Sequence, residues 1–185
     1  MTEPLLDPDK RGRQGVMKTY PHMRYVDLFD FQASDVKVLD IIHHLCMITR
    51  YGGGTRTRIS VGEHSIMAAD RVPNERKLDV LFHDRAEAYL GDVIRPLKHD
   101  LRFGPVYHDL EDRIEAVSAP VLGLVHPMPR WVKDADNEQL MHEMEHMRYV
   151  DRVEPSLAEI ESAFQAMAWP LLAERIGEHN LKEIW

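Results

Sequence analysis

From Val38 to Met167 the apolar residues return at intervals of three and four, and almost nowhere at intervals of two. A face that recurs every 3.6 residues or so is a helical face, not one side of a strand. The chain is therefore predicted to be all-α. Asp35 is placed to cap a helix carrying Val38, Leu39, Ile42, Leu45 and Cys46, which Gly52, Gly53 and Gly54 end near Arg50. Ser60 with Glu63 reads as a capping box opening a helix that holds His64 and ends at Pro73. A third helix is expected from about Glu75 to Leu90, stopped by Gly91. A fourth carries Tyr107, Leu110, Ile114 and Val117. Pro129 can open a fifth bearing Trp131, Val132, Ala135, Asp136 and Leu140. Ser156 and Glu159 open the last, through Ile160, Phe164 and Met167, with Pro170 expected to kink or end it. Arg56 to Ser60 is the one strand candidate.

A length of 185 residues suits one compact domain, and 44% apolar with 29% charged residues describes an ordinary globule. No apolar run is long enough to span a bilayer. The charged start, with Pro4 and Pro8, has no apolar segment of a signal peptide. Together with a single cysteine, Cys46, this predicts a cytoplasmic protein in a reducing compartment. A net charge of −8 argues against a nucleic-acid polymer as partner. Eleven histidines, several beside acids, direct attention to metal chemistry.

The segment Leu81-Phe82-His83-Asp84-Arg85-Ala86-Glu87 carries that chemistry. On a helix His83, Asp84 and Glu87 share a face where leucine or valine is expected, and a bound cation would compensate for grouping them. His64 opens a helix, Asp136 lies on another beside apolar residues, and Arg50 and Tyr51 precede the glycine turn. The order His, His-Asp, Asp with these flanks resembles the HD-domain phosphohydrolases. Segments Arg50 to Ser65, Leu81 to Lys98 and Val132 to Asp136 are similar to the small bacterial 5′-deoxynucleotidases and the phage-type deoxyadenosine triphosphate triphosphohydrolases. The resemblance covers roughly residues 24 to 145.

What it implies is a single all-α HD-domain bundle over residues 23–185, after an extension at 1–22. It makes His64, His83, Asp84 and Asp136 the metal ligands. Glu87 becomes the acid near the nucleophilic water and Arg50 the phosphate-orienting arginine. Asp92 to Arg95 become a substrate-contacting loop, so Asp92 and Arg95 join the substrate contacts. Many relatives have a small residue where Arg85 stands; its side chain is expected to point away from Glu87, to the surface. The resemblance also leads us to expect a homo-oligomer in a bacterium or a phage-infected host.

Two imidazoles and two carboxylates make a nitrogen/oxygen set that suits zinc, cobalt, manganese, iron or magnesium alike. Such a cation acidifies a bound water and polarises a phosphoryl group, and Glu87 is placed to take the water's proton. Arg50 offers a planar fork for phosphate oxygens, whereas Lys98 and Lys133 offer point charges. Tyr51 is suited to stacking on a base or blocking a 2′-hydroxyl. Three cations around one metal favour a deoxynucleoside triphosphate over a deoxynucleoside monophosphate, and the resemblance to the deoxyadenosine triphosphate triphosphohydrolases implies adenine as the base.

Two other classes compete. His142-Glu143-Met144-Glu145-His146 fits the zinc-protease motif H-E-x-x-H, but its neighbours Glu138, Gln139 and Arg148 predict a solvated helix face. A helical module that binds metal or nucleotide without catalysis needs neither Glu87 nor Arg50. His43-His44 reads as core edge and surface, and Met141, Met144 and Met147 as packing residues. Gly52-Gly53-Gly54 lacks the Lys-Ser/Thr of a P-loop.

Overall fold

The computed structural model describes residues 15–185, so the expectations for residues 1–14 lie outside it. Helices dominate: α1 (Val38–Met47), α2 (Val61–Ala69), α3 (Asn74–Leu81), α4 (Glu87–Leu90) and α5 (Arg95–Lys98) lead to the long α6 (Gly104–Leu122), α7 (Arg130–His146) and α8 (Leu157–Ile176), with α9 (Glu178–Ile184) last. No helix among the described residues is long and apolar enough to cross a membrane. Two short strands, β1 (Val16–Lys18) and β2 (Tyr25–Asp27), form an antiparallel pair with Met17 opposite Val26. The pair straddles the boundary placed at residue 22.

Helix α2 is the hub, packing on α1, α3, α7 and α8. It approaches α1 closely enough that a Cβ on Gly62 would lie 2.7 Å from Cys46 Sγ. Ile41, Ile42, Leu45, Leu78, Leu81 and Leu172 are buried between these helices. Phe82 meets Phe164 edge to face at 5.4 Å, joining the α3 end to α8.

Several local expectations change. Asp35 closes a short 3-10 turn, Ala33–Asp35, by accepting from Gln32 N at 2.9 Å, and Lys37 takes the N-cap of α1. Helix α1 stops at Met47, because Thr49 bridges Ser60 and Arg50 N donates to Ile59 O at 2.9 Å. The strand expected over Arg56–Ser60 thus shrinks to that one bridge. Ser60 does cap α2, its Oγ accepting from Glu63 N at 3.0 Å. The Glu63 carboxylate instead binds Arg152 at 2.6 and 2.8 Å, which leaves the box half made. Helix α2 has already ended at Ala69, so Pro73 does not stop it but caps α3, as Pro129 caps α7. Ser156 and Glu159 form the full box expected at α8. Pro170 does not end α8; it and Ala166, whose carbonyl loses its donor, are both exposed.

The largest change falls on the expected third helix, which breaks between α3 and α4. His83 N donates to Val80 O, Arg85 N to Phe82 O and Glu87 N to Asp84 O, all three residues back. His83 Nδ1 also lies 2.6 Å from Val80 O, occupying the carbonyl that a continuous helix would offer to Asp84. His83 and Asp84 therefore sit on tight turns, where their side chains diverge from helical spacing.

Candidate metal centre

Three chain segments bring the ligand set together. His64 comes from the first turn of α2, His83 and Asp84 from the turns after α3, and Asp136 from α7. One ligand atom each from His64, His83 and Asp84 lies within 4.8 Å of the others. Asp136 Oδ1 stands 3.0 Å from His64 Nε2 and 3.6 Å from His83 Nε2. Asp84 Oδ2 is 3.1 Å from His83 Nε2.

Both imidazoles are oriented from behind. His64 Nδ1 is 2.7 Å from Glu143 Oε1, and a carboxylate can only accept, so Nδ1 carries the proton. His83 Nδ1 donates to the Val80 carbonyl. Each ring thus presents Nε2 to the cluster, the disposition a metal-binding histidine needs. Both rings are buried, and His83 Nε2 has no hydrogen-bond partner. Burial alone would lower the His83 pKa, yet Asp84 and Asp136 override it and hold it well above the usual value. Burial alone would raise Asp84, and the His83 charge brings it down to about 2. Two nitrogens and two carboxylates with an orphaned buried Nε2 fit a divalent cation, which would replace the proton that the acids hold on His83.

Asp84 and Asp136 reach the wall of a cavity of about 480 Å³, whose lining also includes Arg50, Tyr51, Glu87, Asp92, Arg95 and Lys98. A second recess of about 270 Å³ shares Asp84, Glu87, Arg95 and Asp136 with it and is lined also by His83 and Lys133. Glu87 is buried, with Oε1 2.9 Å from Lys98 Nζ and Oε2 unpartnered. Burial, then the Asp84 charge, push its pKa up to about 8 against the pull of Lys98. Lys98 is also held by Glu111 at 3.4 Å, so it is not a spare positive charge. Arg95 and Lys133 are exposed, and neither has a carboxylate within ion-pair distance among the described residues.

Arg50 is buried, its Nε donating to Glu143 Oε2 at 3.1 Å and its Nη1 3.6 Å from Asp84 Oδ2. Tyr51 occupies the left-handed region at φ 59°, a conformation stabilised by Asp92 Oδ2 accepting from its backbone N at 3.1 Å. Its hydroxyl donates to Glu143 Oε2 at 2.7 Å. Its ring lies between the guanidinium groups of Arg50, 5.3 Å away, and Arg148, 4.8 Å away. Stacking by Tyr51 on a base would have to compete with these cations.

Three residues stand where the sequence did not put them. Arg85 is 3% exposed rather than on the surface. Its guanidinium donates to Ser118 Oγ, Phe82 O and Glu115 O at 2.8, 3.2 and 3.0 Å, because α6 brings acceptors to the His-Asp turn. Glu143 and Gln139 are fully buried, although their segment reads as a solvated face. They continue the inward stripe of Val132 and Ala135 at spacings of four and four, a signal that the surrounding polar residues hide. In the H-E-x-x-H motif Glu143 faces in while His146 is exposed and His142 half-buried, so the three do not converge. Met147 packs inside, but Met141 and Met144 are exposed. His43 meets Glu161 at 2.6 Å, and His44 Nδ1 lies 2.7 Å from Ala88 O.

No family model matches the chain. The uncharacterized protein YfdR of Escherichia coli strain K12 is 36% identical over 102 residues, covering 55% of this chain and 56% of its own length. An uncharacterized Rhodobacter capsulatus protein is 33% identical over 121 residues, covering 60% of this chain and 61% of its own. The chain is therefore similar to two bacterial proteins and spans about three-fifths of the length of each.

Proposed function

We propose that the chain is a divalent-metal-dependent phosphohydrolase of the HD-domain type, acting on the 5′-phosphoester of deoxynucleotides. The observation that carries it is the orphaned, buried His83 Nε2 beside His64, Asp84 and Asp136, the two aspartates of which line a cavity of nucleotide size. His64, His83, Asp84 and Asp136 would hold the cation. The bound cation supplies an acidified water and a polarised phosphoryl group. Glu87 then takes a proton from the attacking water; positive charge beside it lowers its pKa from about 8 towards the working range of a base. Arg50, locked between Glu143 and Asp84, keeps a fixed positive charge for the non-bridging oxygens. Asp92 holds the turn that presents both Arg50 and Tyr51 to the cavity.

Within that class we favour a deoxynucleoside triphosphate, adenine as base. Arg95, Lys133 and Arg148 have no acid partner among the described residues, and they supply the extra charge that a longer phosphate chain needs. A monophosphate is the second reading, favoured by the pairing of Lys98 with Glu87 and Glu111, which removes it from that set.

The test is chromatography of the products from deoxynucleoside mono- and triphosphates, with cobalt, manganese, zinc or magnesium supplied. Deoxyadenosine and intact tripolyphosphate are expected from the triphosphate. Orthophosphate from monophosphates alone would establish the second reading. Asp84→Ala and Asp136→Ala should lose stoichiometric metal and turnover, while His142→Ala and His146→Ala keep both. Metal retained in full by both aspartate variants would sink the proposal, and loss in the histidine variants would move the site to α7.

A further inference from the structure

Glu143 holds no cation and moves no proton in the hydrolytic steps above, yet it is a fully buried carboxylate at the centre of their machinery. Its two oxygens divide their partners. Oε1 accepts from His64 Nδ1 at 2.7 Å and from Gln139 Nε2 at 3.2 Å. Oε2 accepts from Arg50 Nε at 3.1 Å and from the Tyr51 hydroxyl at 2.7 Å. Four donors fill the lone pairs of one carboxylate. One oxygen therefore serves the metal centre and the other serves the cavity wall where a phosphate would lie.

From this division we infer that Glu143 is a positioning residue joining the cation site to the anion site, so that one side chain sets His64 and Arg50 in register. The inference rests on His64 as a metal ligand and Arg50 as the phosphate-facing arginine. A carboxylate is the only common side chain that can do this. Both sides present N–H or O–H donors, and a carboxylate accepts on both. An amide of the same shape keeps its oxygen towards His64 only by turning its NH₂ group onto Arg50. Tyr51 can rotate its hydroxyl to accept from that group, but Arg50 Nε–H has no second role. A buried donor facing a donor is costly and moves apart. Gln139 secures the carboxylate from its own helix, and Arg71 Nε in turn donates to Gln139 Oε1 at 2.8 Å. The junction is thus braced from behind, and its free directions are those of the metal centre and the cavity.

The experiment uses the full chain and two probes, cobalt(II) alone and then inorganic phosphate added to the cobalt-saturated protein. Thermal unfolding and circular dichroism report the fold. Glu143→Gln should keep cooperative unfolding, weaken cobalt by about 10–100-fold as loss of an orienting partner does, and weaken phosphate roughly tenfold even at saturating cobalt. The second loss is what a purely structural residue, or one serving His64 alone, would not produce. Wild-type phosphate affinity in the cobalt-saturated variant overturns the inference, and so does unchanged cobalt affinity. Should that variant fail to unfold cooperatively, Tyr51→Phe removes one donor from Oε2 and touches no ligand. Its phosphate affinity should fall several-fold, and an unchanged value overturns the inference as well. Turnover enters neither titration. A wild-type protein that binds both probes but hydrolyses no nucleotide therefore refutes the hydrolase proposal alone.

Discussion

Replacing Arg85 by methionine tests how the His-Asp turn is held in place. The arginine is 3% exposed and donates to Ser118 Oγ, Phe82 O and Glu115 O. Burial lowers its pKa, opposed by the charges of Glu115, Asp79 and Asp84, and no carboxylate oxygen accepts directly from it. Hydrogen bonds from a charged donor are worth about 1.5–3 kcal/mol each, so three amount to about 5–9 kcal/mol gross. Taking the guanidinium out of water costs several kcal/mol, which methionine does not incur while still filling the space of the stem. The net loss expected is about 2–4 kcal/mol. At this chain length that is a fall in Tm of about 4–16 °C. Urea unfolding followed by circular dichroism measures the first figure, and a cobalt titration reads the consequence for the site. Metal affinity should fall too, because the turn from Phe82 to Ala86 loses its tie to α6. Lysine should not rescue either property, since a single nitrogen cannot reach three acceptors spread over two elements. Stability of the methionine variant within about 0.5 kcal/mol of wild type, the ordinary range of a surface substitution, would refute the reasoning.

Two further outcomes bear on the site. Glu87→Gln should reduce turnover by roughly 10²–10⁴-fold with cobalt stoichiometry retained, and near-normal turnover would leave Glu87 only a partner for Lys98. Gly62→Ala would set a Cβ 2.7 Å from Cys46 Sγ and 3.1 Å from its backbone N and Cα. It should cost about 1–3 kcal/mol in urea unfolding and weaken cobalt binding through His64 two residues on; unchanged values for both would show that α1 and α2 have slack.

Much of the centre was legible because its residue types are costly where they stand. His83, Asp84 and Glu87 interrupt an apolar stretch, and His64 and Asp136 sit beside core positions, so each advertises a compensating partner. The cap at Ser156 was equally plain, being a local bond between residues three apart. What escaped depended on partners far along the chain or on side chains that compete with the backbone. Periodicity cannot show that His83 Nδ1 takes the Val80 carbonyl and breaks the helix. Arg85 looks like a surface residue until α6 supplies Ser118 and Glu115, some thirty residues later. Glu143 was masked by its own neighbours, because a buried acid among exposed acids has the same local composition as they do. Strands of three residues, as in β1 and β2, are too short for alternation to register.

Helix α7 presents Asp136, Gln139 and Glu143 inward at intervals of three and four residues. Each helical residue turns the next by about 100° and advances it about 1.5 Å. One residue gained or lost between Asp136 and Glu143 would swing the junction carboxylate off the axis that the aspartate defines, and Arg50 and Tyr51 would lose it together. The segment from Gly123 to Pro129 is tied to the fold by Val125 N donating to Asp79 Oδ1 and by Arg175 donating to Gly123 O, but it carries none of the site's ligands. As such chains diverge, changes of length should therefore collect in that segment, while the eight positions from Asp136 to Glu143 behave as a ruler whose graduations are fixed even where the residues between them drift.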